Sequence, residues 1–364
     1  MQSFISILRE VRDPRDSNSR HPVETLLFLT LGATLCGAKS SVQVAEFVEA
    51  QEEELSAMVD LPHGAPSHDT FSRLFRLLDP AELETAFTAF MTAMRAELGL
   101  GPAQGVVAID GKSLRRGYEK GRNFLPPLMI SVWDSQTRLA IAQARAPGGN
   151  EVKAALQVLK SLVLKGCTVT ADALHCHPAM AQAVLDAKAD YALGLKANNA
   201  PLYAEAERTF AAAEAPVFAT EEKAHGRIER RRASVLPAPI AARALLPGLK
   251  AFGRIEAERV DSKGKLTTAT RYIALSRKLT PAKMAEVVRA HWSVENQLHW
   301  ILDVVFDEDG ARTRKDYAPE NFAVIRRLAQ NILRMHPANM SISSKMRRAM
   351  WSKDFFFDLF AHMR

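Results

Sequence analysis

Cysteine is scarce in this sequence. Only three occur among 364 residues, at Cys36, Cys167 and Cys176, and they are too few and too scattered for a disulfide framework. A reducing compartment is therefore expected, with the cytoplasm as the default location. Long apolar runs are missing too: the most hydrophobic stretch, residues 26–38, has 13 residues, whereas a helix that spans a bilayer needs roughly 18 to 20. We predict a buried core helix there and no membrane partner.

Two further absences narrow the function. No glycine-rich phosphate-binding motif is present, so no nucleotide cofactor is expected. The chain has no repeats or low-complexity tracts, and its 47% hydrophobic and 24% charged residues are typical of a globular protein rather than a disordered one. What the chain does have is a net charge of +7. That excess favours a polyanionic partner without identifying it.

The first hundred residues predict an all-α domain, residues 1–100, because apolar positions recur at helical spacing and no alternating strand pattern occurs. Within this domain Ser67 or Asp69 can cap a helix from which Arg73 and Arg76 project. Such a helix suits a helix-turn-helix DNA reader. An ordinary amphipathic helix with two solvated arginines is the alternative.

A second pattern begins near residue 104, where a β-branched run predicts a strand that ends at Asp110. Three strands and then helix, strand, helix and strand fit a mixed five-stranded sheet flanked by helices. A β-rich insertion is expected over about 198–279, with a turn at Lys263-Gly264, before a long helix that starts at Thr280-Pro281. Residues 104–335 thus form one predicted α/β domain, and residues 336–364 a basic and aromatic tail.

Two aspartates at predicted strand ends are the first candidates for chemistry. Asp110 follows four apolar residues, and Asp172 ends the predicted strand of TVTADALHCH. Two carboxylates fixed at strand ends of one sheet can hold Mg²⁺ in the way that metal-dependent phosphoryl transfer requires. A strand-end aspartate also commonly forms a turn or caps a helix, and this alternative stays open for each of them.

A third candidate, Glu295, lies inside the predicted long helix. It comes three residues after Trp292 and three before Leu298, so it borders the apolar face of that helix. A charge in that position needs a partner. Glu295 is therefore either an ion-pair partner of a neighbouring Arg or Lys, or a third metal ligand that faces the two aspartates.

Basic residues form two clusters that can neutralise DNA phosphates. One closely follows the first aspartate, and the other lies in the insertion with only Glu229 opposing it. Charge runs are often no more than solvated faces, but phosphate neutralisation would make binding steeply salt dependent. The candidate DNA-binding residues in these clusters are Lys112, Arg115, Arg116, Arg227, Arg230 and Arg231.

Three segments, AIDGKSLRRG, TADALHCH and RAHWSVENQLHWILDVVFDEDGARTRKDYAPEN, together resemble the DDE transposases of the H-repeat-associated insertion-sequence family. The first hundred residues, with DPRD, HPVETLLFL and SHDTFSRLFRLLD, resemble the helical domain associated with that family. The resemblance implies an RNase H-like catalytic domain with a β insertion before the glutamate helix. It also implies that Asp110, Asp172 and Glu295 form the catalytic, metal-binding triad. The implied partners are the element's own DNA ends and target DNA, bound by a homodimer at the bacterial nucleoid.

The chain departs from the wider group at three positions near the glutamate. A Tyr, an Arg and a Lys commonly assist DNA binding there, and this sequence has Val288, His291 and Leu302 in their places. His291 is either a DNA contact or a packed helix residue. Other residues that can supply the phosphate contacts are Arg312, Arg314 and Lys315.

The expected function is a DNA transposase that cleaves and transfers strands with Mg²⁺ or Mn²⁺. Two carboxylate-held ions about 3.5 to 4 Å apart can activate a water or a 3′-hydroxyl and stabilise the leaving oxygen. Two alternatives remain: a metal-dependent nuclease without strand transfer, and a catalytically silent DNA-binding protein derived from a transposase.

Overall fold

The computed structural model describes residues 2–118, 125–224 and 227–361. Over these ranges the helices, apart from short 3₁₀ and π turns, are α1 (Gln2–Arg9), α2 (Val23–Leu35), α3 (Ser41–Ala50), α4 (Glu52–Ser56), α5 (His68–Leu77), α6 (Pro80–Glu97), α7 (Glu151–Leu159), α8 (Pro178–Asp186), α9 (Ala200–Ala212), α10 (Ile240–Arg243), α11 (Pro281–His291), α12 (Trp300–Val304), α13 (Ala318–Met335), α14 (Ile342–Trp351) and α15 (Lys353–Ala361). The strands are β1 (Val106–Ser113), β2 (Leu128–Asp134), β3 (Leu139–Arg145), β4 (Thr168–Ala171), β5 (Asp190–Leu195), β6 (Val217–Ala224), β7 (Arg227–Pro237), β8 (Ala251–Val260) and β9 (Leu266–Leu275).

The first hundred residues form six helices, as their apolar spacing predicted. Helix α2 carries the apolar run and is buried along nearly its whole length, which confirms the predicted core helix. It is packed on several sides, by α1, α3 and α13. Among the described residues, no helix is both long and apolar enough to cross a membrane.

Helix α5 begins with the predicted serine cap. The Ser67 hydroxyl accepts a hydrogen bond from the backbone N–H of Thr70 at 3.4 Å. Its two arginines each form an ion pair: Arg73 with Asp16 of the N-terminal segment, and Arg76 with a residue just before α13. Both arginines are thus tied to other parts of the chain.

A nine-stranded sheet with the order β3-β2-β1-β4-β5-β9-β8-β7-β6 forms the centre of the molecule. In its first five strands β1 is antiparallel to β2, and β2 to β3, whereas β1, β4 and β5 run parallel. Helices α7 and α8 provide the connections that the parallel strands need. This is the mixed five-stranded sheet that the order of elements predicted, and it is the RNase H-like fold that the resemblance implied.

The insertion continues the same sheet. Strand β9 pairs antiparallel with β5, and β8, β7 and β6 follow by successive antiparallel pairing. The prediction that strands begin near residue 198 was wrong, because α9 comes first. Its buried residues Leu202, Ala206 and Phe210 recur every four positions, which is a helical signal. The turn at Lys263-Gly264 is confirmed: Gly264 has a φ of +79°, which suits a tight hairpin.

The predicted long helix starts as expected, because the Thr280 hydroxyl accepts a hydrogen bond from the Lys283 N–H at 3.2 Å. It is not uniform, however. Helix α11 ends at His291, residues Glu295–His299 form a π-helical turn, and α12 follows. The spacing of apolar residues alone cannot reveal a π-helical turn. One extra residue in a single turn changes the spacing of the apolar positions only slightly.

The C-terminal tail folds into α14 and α15, which pack on the N-terminal helices. Gly32 of α2 allows a close approach, since a Cβ there would lie 3.2 Å from the ring of Phe356. The rings of Phe28 and Phe360 pack nearby in a tilted arrangement, with centroids 4.9 Å apart. The aromatic residues of the tail therefore belong to the hydrophobic core.

Candidate active site

Strand β1 runs on to Ser113, so Asp110 lies within a strand and not at its end as predicted. Its position is still distinctive, because the parallel partner β4 stops at Ala171, opposite Ile109. Asp110 is the first residue of β1 beyond this pairing, although it still pairs with Ser131 of β2. The Gly-Lys-Ser sequence that follows is a poor strand signal, which explains the early predicted end.

Asp172 directly follows β4, as predicted. Its carboxylate also caps a short 3₁₀ helix, Ala173–His175, by accepting a hydrogen bond from the Leu174 N–H at 2.9 Å. The cap interpretation of a strand-end aspartate therefore holds at this residue, and its role as a metal ligand stays a prediction. The bond orients one carboxylate oxygen of Asp172.

Glu295 is the first residue of the π-helical turn, and its side chain is exposed. The turn is held against the sheet because Val294 and Leu298 are fully buried and because the Trp133 indole N–H donates to the Ser293 hydroxyl at 2.9 Å. Partial desolvation raises the pKa of Glu295, and the positive charge of Arg271 opposes this shift. Glu295 is thus fixed through its neighbours while its own carboxylate stays accessible.

The carboxylates of the three candidates influence one another. The pKa of Asp110 is raised to about 7, mainly by burial and in addition by the negative charges of Glu295, Asp172 and Glu151, while a hydrogen bond from the Gly111 N–H opposes the shift. Like charges that meet at one half-buried carboxylate are a feature of functional sites. The structure therefore brings the predicted residues into one electrostatic group.

Carboxylate oxygens are the donors that Mg²⁺ and Mn²⁺ prefer. In the part of the chain that the structure describes, no three His, Cys, Asp or Glu side chains are close enough together to enclose a metal ion. The donor chemistry nevertheless fits a divalent cation, because a positive ion would remove the repulsion that raises the pKa of Asp110.

Two histidines of the glutamate segment lie against the aspartates. His299 Nδ1 is 3.5 Å from Asp110 Oδ2, and His291 Nδ1 is 3.0 Å from the Thr170 hydroxyl of β4. Burial lowers the pKa of His291 to about 4 and that of His299 to about 3. These low pKa values favour neutral rings at pH 7. His291 contacts Thr170 in the structure, and its predicted DNA contact stays a prediction.

Lys112 is only 7% exposed, which separates it from the other basic candidates. Its ammonium lies 2.6 Å from Asp303 Oδ1 and 3.1 Å from Asp309 Oδ1, and Arg115 contacts the second oxygen of Asp309 at 3.2 Å. Lys112 therefore ties β1 to α12 and to the loop beyond it. Arg115 is exposed and remains accessible to a ligand.

The remaining candidates near the first aspartate form one surface with the loop before α13. Arg314 Nε donates to the backbone carbonyl of Arg116 at 3.1 Å, which joins the two segments. The side chains of Arg116, Arg312 and Lys315 are exposed. The side chain of Arg227 lies outside the described residues.

In the insertion, Arg230 and Arg231 face more negative charge than the sequence suggested. Arg230 Nε lies 2.8 Å from Glu221 across the β6–β7 pair, and Arg231 lies 2.7 Å from Glu229 and 3.9 Å from Glu222. The expectation that only Glu229 opposes these arginines was wrong. The additional glutamates come from β6, and only strand pairing brings them into contact.

Sequence reasoning missed Glu151, the first residue of α7. Its charge acts on Asp110, and its carboxylate lies against the backbone of Gly111. One feature of the sequence could have indicated that another group comes close to the backbone here. Asp110 is followed directly by a glycine, and a larger side chain at that position would block the approaching group. Nothing local to Glu151 marks it, because an acidic residue in the first helical turn is ordinary.

Comparisons with known proteins identify the family of this chain. Residues 101–332 match the family described as Transposase DDE domain, and residues 5–91 match the family described as DDE_Tnp_1-associated. In Escherichia coli (strain K12), the protein YbfL is 32% identical and the H repeat-associated protein YhhI, which is named as a transposase, is 31% identical; each match covers 99% of this chain and 97% of the relative. A piggyBac transposase synaptic complex with hairpin DNA covers 100% of this chain and 78% of its own, at 13% identity and a TM-score of 0.43, too distant to support an argument.

Proposed function

The chain belongs to the transposase DDE domain family, as the resemblance of its three motifs predicted, and from this premise we propose that it cleaves DNA at insertion-sequence ends and joins the cut strands to target DNA. The proposed catalytic residues are Asp110, Asp172 and Glu295. The homodimer on paired DNA ends that the family implies is part of the same proposal.

The observation that carries the proposal is the electrostatic coupling at Asp110. A half-buried structural carboxylate usually lies beside a cation, because an unpaired buried charge is costly. At Asp110 the negative charges of Glu295, Asp172 and Glu151 act instead. Among the described residues its ion-pair contact is with His299 at 3.5 Å, and burial lowers the pKa of that histidine to about 3. Repulsion of this kind supports a site that binds a positive ion rather than a site that only stabilises the fold.

Asp110, Asp172 and Glu295 are the residues that would hold Mg²⁺ or Mn²⁺, with two ions held by these carboxylates. When bound, the metal activates a water or a 3′-hydroxyl and stabilises the leaving oxygen of the phosphodiester. The chain itself orients two of these carboxylates. The Gly111 N–H donates a hydrogen bond to one oxygen of Asp110, and the Leu174 N–H donates one to an oxygen of Asp172. The π-helical turn supplies the third carboxylate.

DNA binding is proposed for the exposed basic surface beside Asp110, formed by Arg115, Arg116, Arg312 and Lys315. The hydrogen bond from Arg314 holds the two halves of this surface together. Arg230 and Arg231 form a second, more distant surface in which part of the charge is already balanced by glutamates. Phosphate binding by both would make the affinity for DNA fall with salt.

The experiment that tests the proposal is cleavage of a DNA fragment carrying the element's end, with Mg²⁺ or Mn²⁺, by the unsubstituted protein and by Asp172→Ala. We expect the unsubstituted protein to cut the DNA at the element's end when the metal is present. We expect Asp172→Ala to bind the DNA but not to cut it. DNA binding without any metal-dependent cutting by the unsubstituted protein would contradict catalysis and favour a silent DNA-binding descendant. With precut ends, cleavage without joining would identify a nuclease that lacks strand transfer.

A further inference from the structure

Glu151 approaches the backbone beside the first aspartate. A Cβ built on Gly111 would lie 2.6 Å from Glu151 Oε1 and 2.9 Å from its carboxyl carbon. No side chain could be accommodated at residue 111 without moving that carboxylate. The glycine after Asp110 therefore keeps a space that Glu151 fills.

The same carboxylate is bonded to the segment of the second aspartate. His175 Nε2 lies 3.1 Å from Glu151 Oε1, so the ring N–H donates to the carboxylate. His175 is completely buried, and its Nδ1 has no hydrogen-bond partner among the described residues. The contact with Glu151 is thus the polar interaction that orients this ring. Because His175 ends the 3₁₀ turn capped by Asp172, Glu151 bridges the two aspartate segments.

Glu24 is a comparable glutamate whose surroundings a purely structural role explains. The surroundings of Glu151 are explained less well by such a role. Like Glu151, Glu24 lies in the first turn of a helix. Its side chain is 22% exposed, and that of Glu151 is 18% exposed. Glu24 differs in having a permanent cation as its partner, Arg9 at 3.5 Å. Among the residues that the structure describes, the partner of Glu151 is a histidine, and the charge of Glu151 acts on Asp110. A carboxylate placed beside other carboxylates is explained by a shared cation.

We propose that Glu151, oriented by His175, is a fourth carboxylate of the active site and helps to hold the divalent cation beside Asp110 and Asp172. This inference rests on the proposed function. It assigns to His175 a positioning role, since the histidine acts through Glu151.

The test is direct binding of Mn²⁺ to the full-length protein without DNA, followed by the electron paramagnetic resonance signal of the free ion. Glu151→Gln keeps the size of the side chain and its ability to accept a hydrogen bond but removes the charge. We expect it to weaken Mn²⁺ binding about tenfold or more. Glu24→Gln is the matched control, and we expect its affinity to equal that of the unsubstituted protein.

A second pair of variants tests the positioning role. His175→Gln keeps an N–H donor and His175→Ala does not, so the first should retain more of the Mn²⁺ affinity than the second. Circular dichroism confirms that each variant is folded. If Glu151→Gln is not, Glu151→Asp replaces it, with an expected affinity between those of the unsubstituted protein and Asp172→Asn.

The outcomes separate this inference from the function on which it rests. If Glu151→Gln binds Mn²⁺ as tightly as the unsubstituted protein while Asp172→Asn does not bind it, the fourth carboxylate is wrong and the proposed function stands. If the unsubstituted protein itself binds no Mn²⁺, both are overturned.

Discussion

In the half of the sheet formed by β1 to β5, most strand residues are buried, whereas most of the described side chains of β6 and the first six residues of β9 are exposed. Charged groups follow the same division. Asp134, at the end of β2, forms an ion pair at 2.9 Å with Arg95 of helix α6, and the two side chains are 0% and 7% exposed. Arg230 and Glu221, in the insertion, form one at 2.8 Å with side chains 55% and 42% exposed.

The comparison shows that equal distances do not imply equal roles. A buried pair cannot exchange its partner for water, so loss of one member leaves an uncompensated charge. An exposed pair is screened and can release either member to another ligand. The first half is therefore suited to hold catalytic groups in fixed positions, and the insertion is suited to bind and release a polyanion.

The largest expected difference between the halves concerns DNA cleavage. Asp172→Asn should reduce the rate of metal-dependent cleavage by about 10³-fold or more, because it removes a charge that acts on the reacting groups. Glu205→Gln, in the insertion helix α9 and paired with Arg208, is the control and should cleave normally. Gel analysis of end-labelled DNA measures both rates. Equal rates for the two variants would remove Asp172 from the catalytic group.

Stability should separate the two ion pairs. Arg95→Met leaves Asp134 buried without its cation and should lower the free energy of unfolding by about 3 to 5 kcal/mol. Arg230→Met should not measurably shift the urea concentration at the midpoint of unfolding, since water replaces the lost partner of Glu221. Urea unfolding followed by circular dichroism checks this. Similar midpoints for both variants would show that burial does not distinguish the two halves.

The pKa of Asp110 predicts a pH dependence in the half of the sheet that contains this residue. This pKa is raised from 3.8 in the unfolded chain to about 7 in the fold, so the folded state retains a proton that the unfolded state has lost. Stability should therefore fall as the pH rises from about 4 to 7 and level off above 7. Asp110→Asn lacks this loss and should be more stable above pH 7 by at most about 4 kcal/mol.

The measurement is the thermal unfolding of both proteins at intervals from pH 4 to pH 8. A chelator is present so that no bound metal ion contributes to the stability. The difference between Asp110→Asn and the unsubstituted protein should grow with pH up to 7. A constant difference would mean that Asp110 keeps an ordinary pKa in the fold.

The smallest expected effect belongs to the exposed arginines of the insertion. Replacing Arg230 by Ala should reduce the slope of log affinity for DNA against log salt by about 1 if the residue contacts one phosphate. Fluorescence anisotropy with a labelled DNA fragment at several salt concentrations gives this slope. An unchanged slope would mean that Arg230 only pairs with Glu221.

Local patterns predicted much of the fold. Apolar residues at helical spacing marked the N-terminal helices, and short β-branched runs gave the order of the first five strands. Ser67 and Thr280 were recognised as caps because a cap depends on residues two or three positions away. The division into residues 1–100, 104–335 and 336–364, and the roles of Asp110, Asp172 and Glu295, stay predictions.

Contacts between distant segments were beyond such patterns. The burial of Lys112 depends on Asp303 and Asp309, and the neutralisation of Arg230 depends on Glu221 in the paired strand. The sequence could offer only the residue types, because which charges meet is decided by strand register and by helix packing.

By itself the sequence determined the family, the RNase H-like order of elements and three acidic residues suited to one chemistry, since these depend on motifs and on neighbours a few positions apart. Only the tertiary structure decided that the insertion extends the central sheet, that Glu295 begins a π-helical turn, and that Glu151 lies beside Asp110. The physical reason is that burial and electrostatic coupling act through space, between residues that the chain separates and the fold brings together.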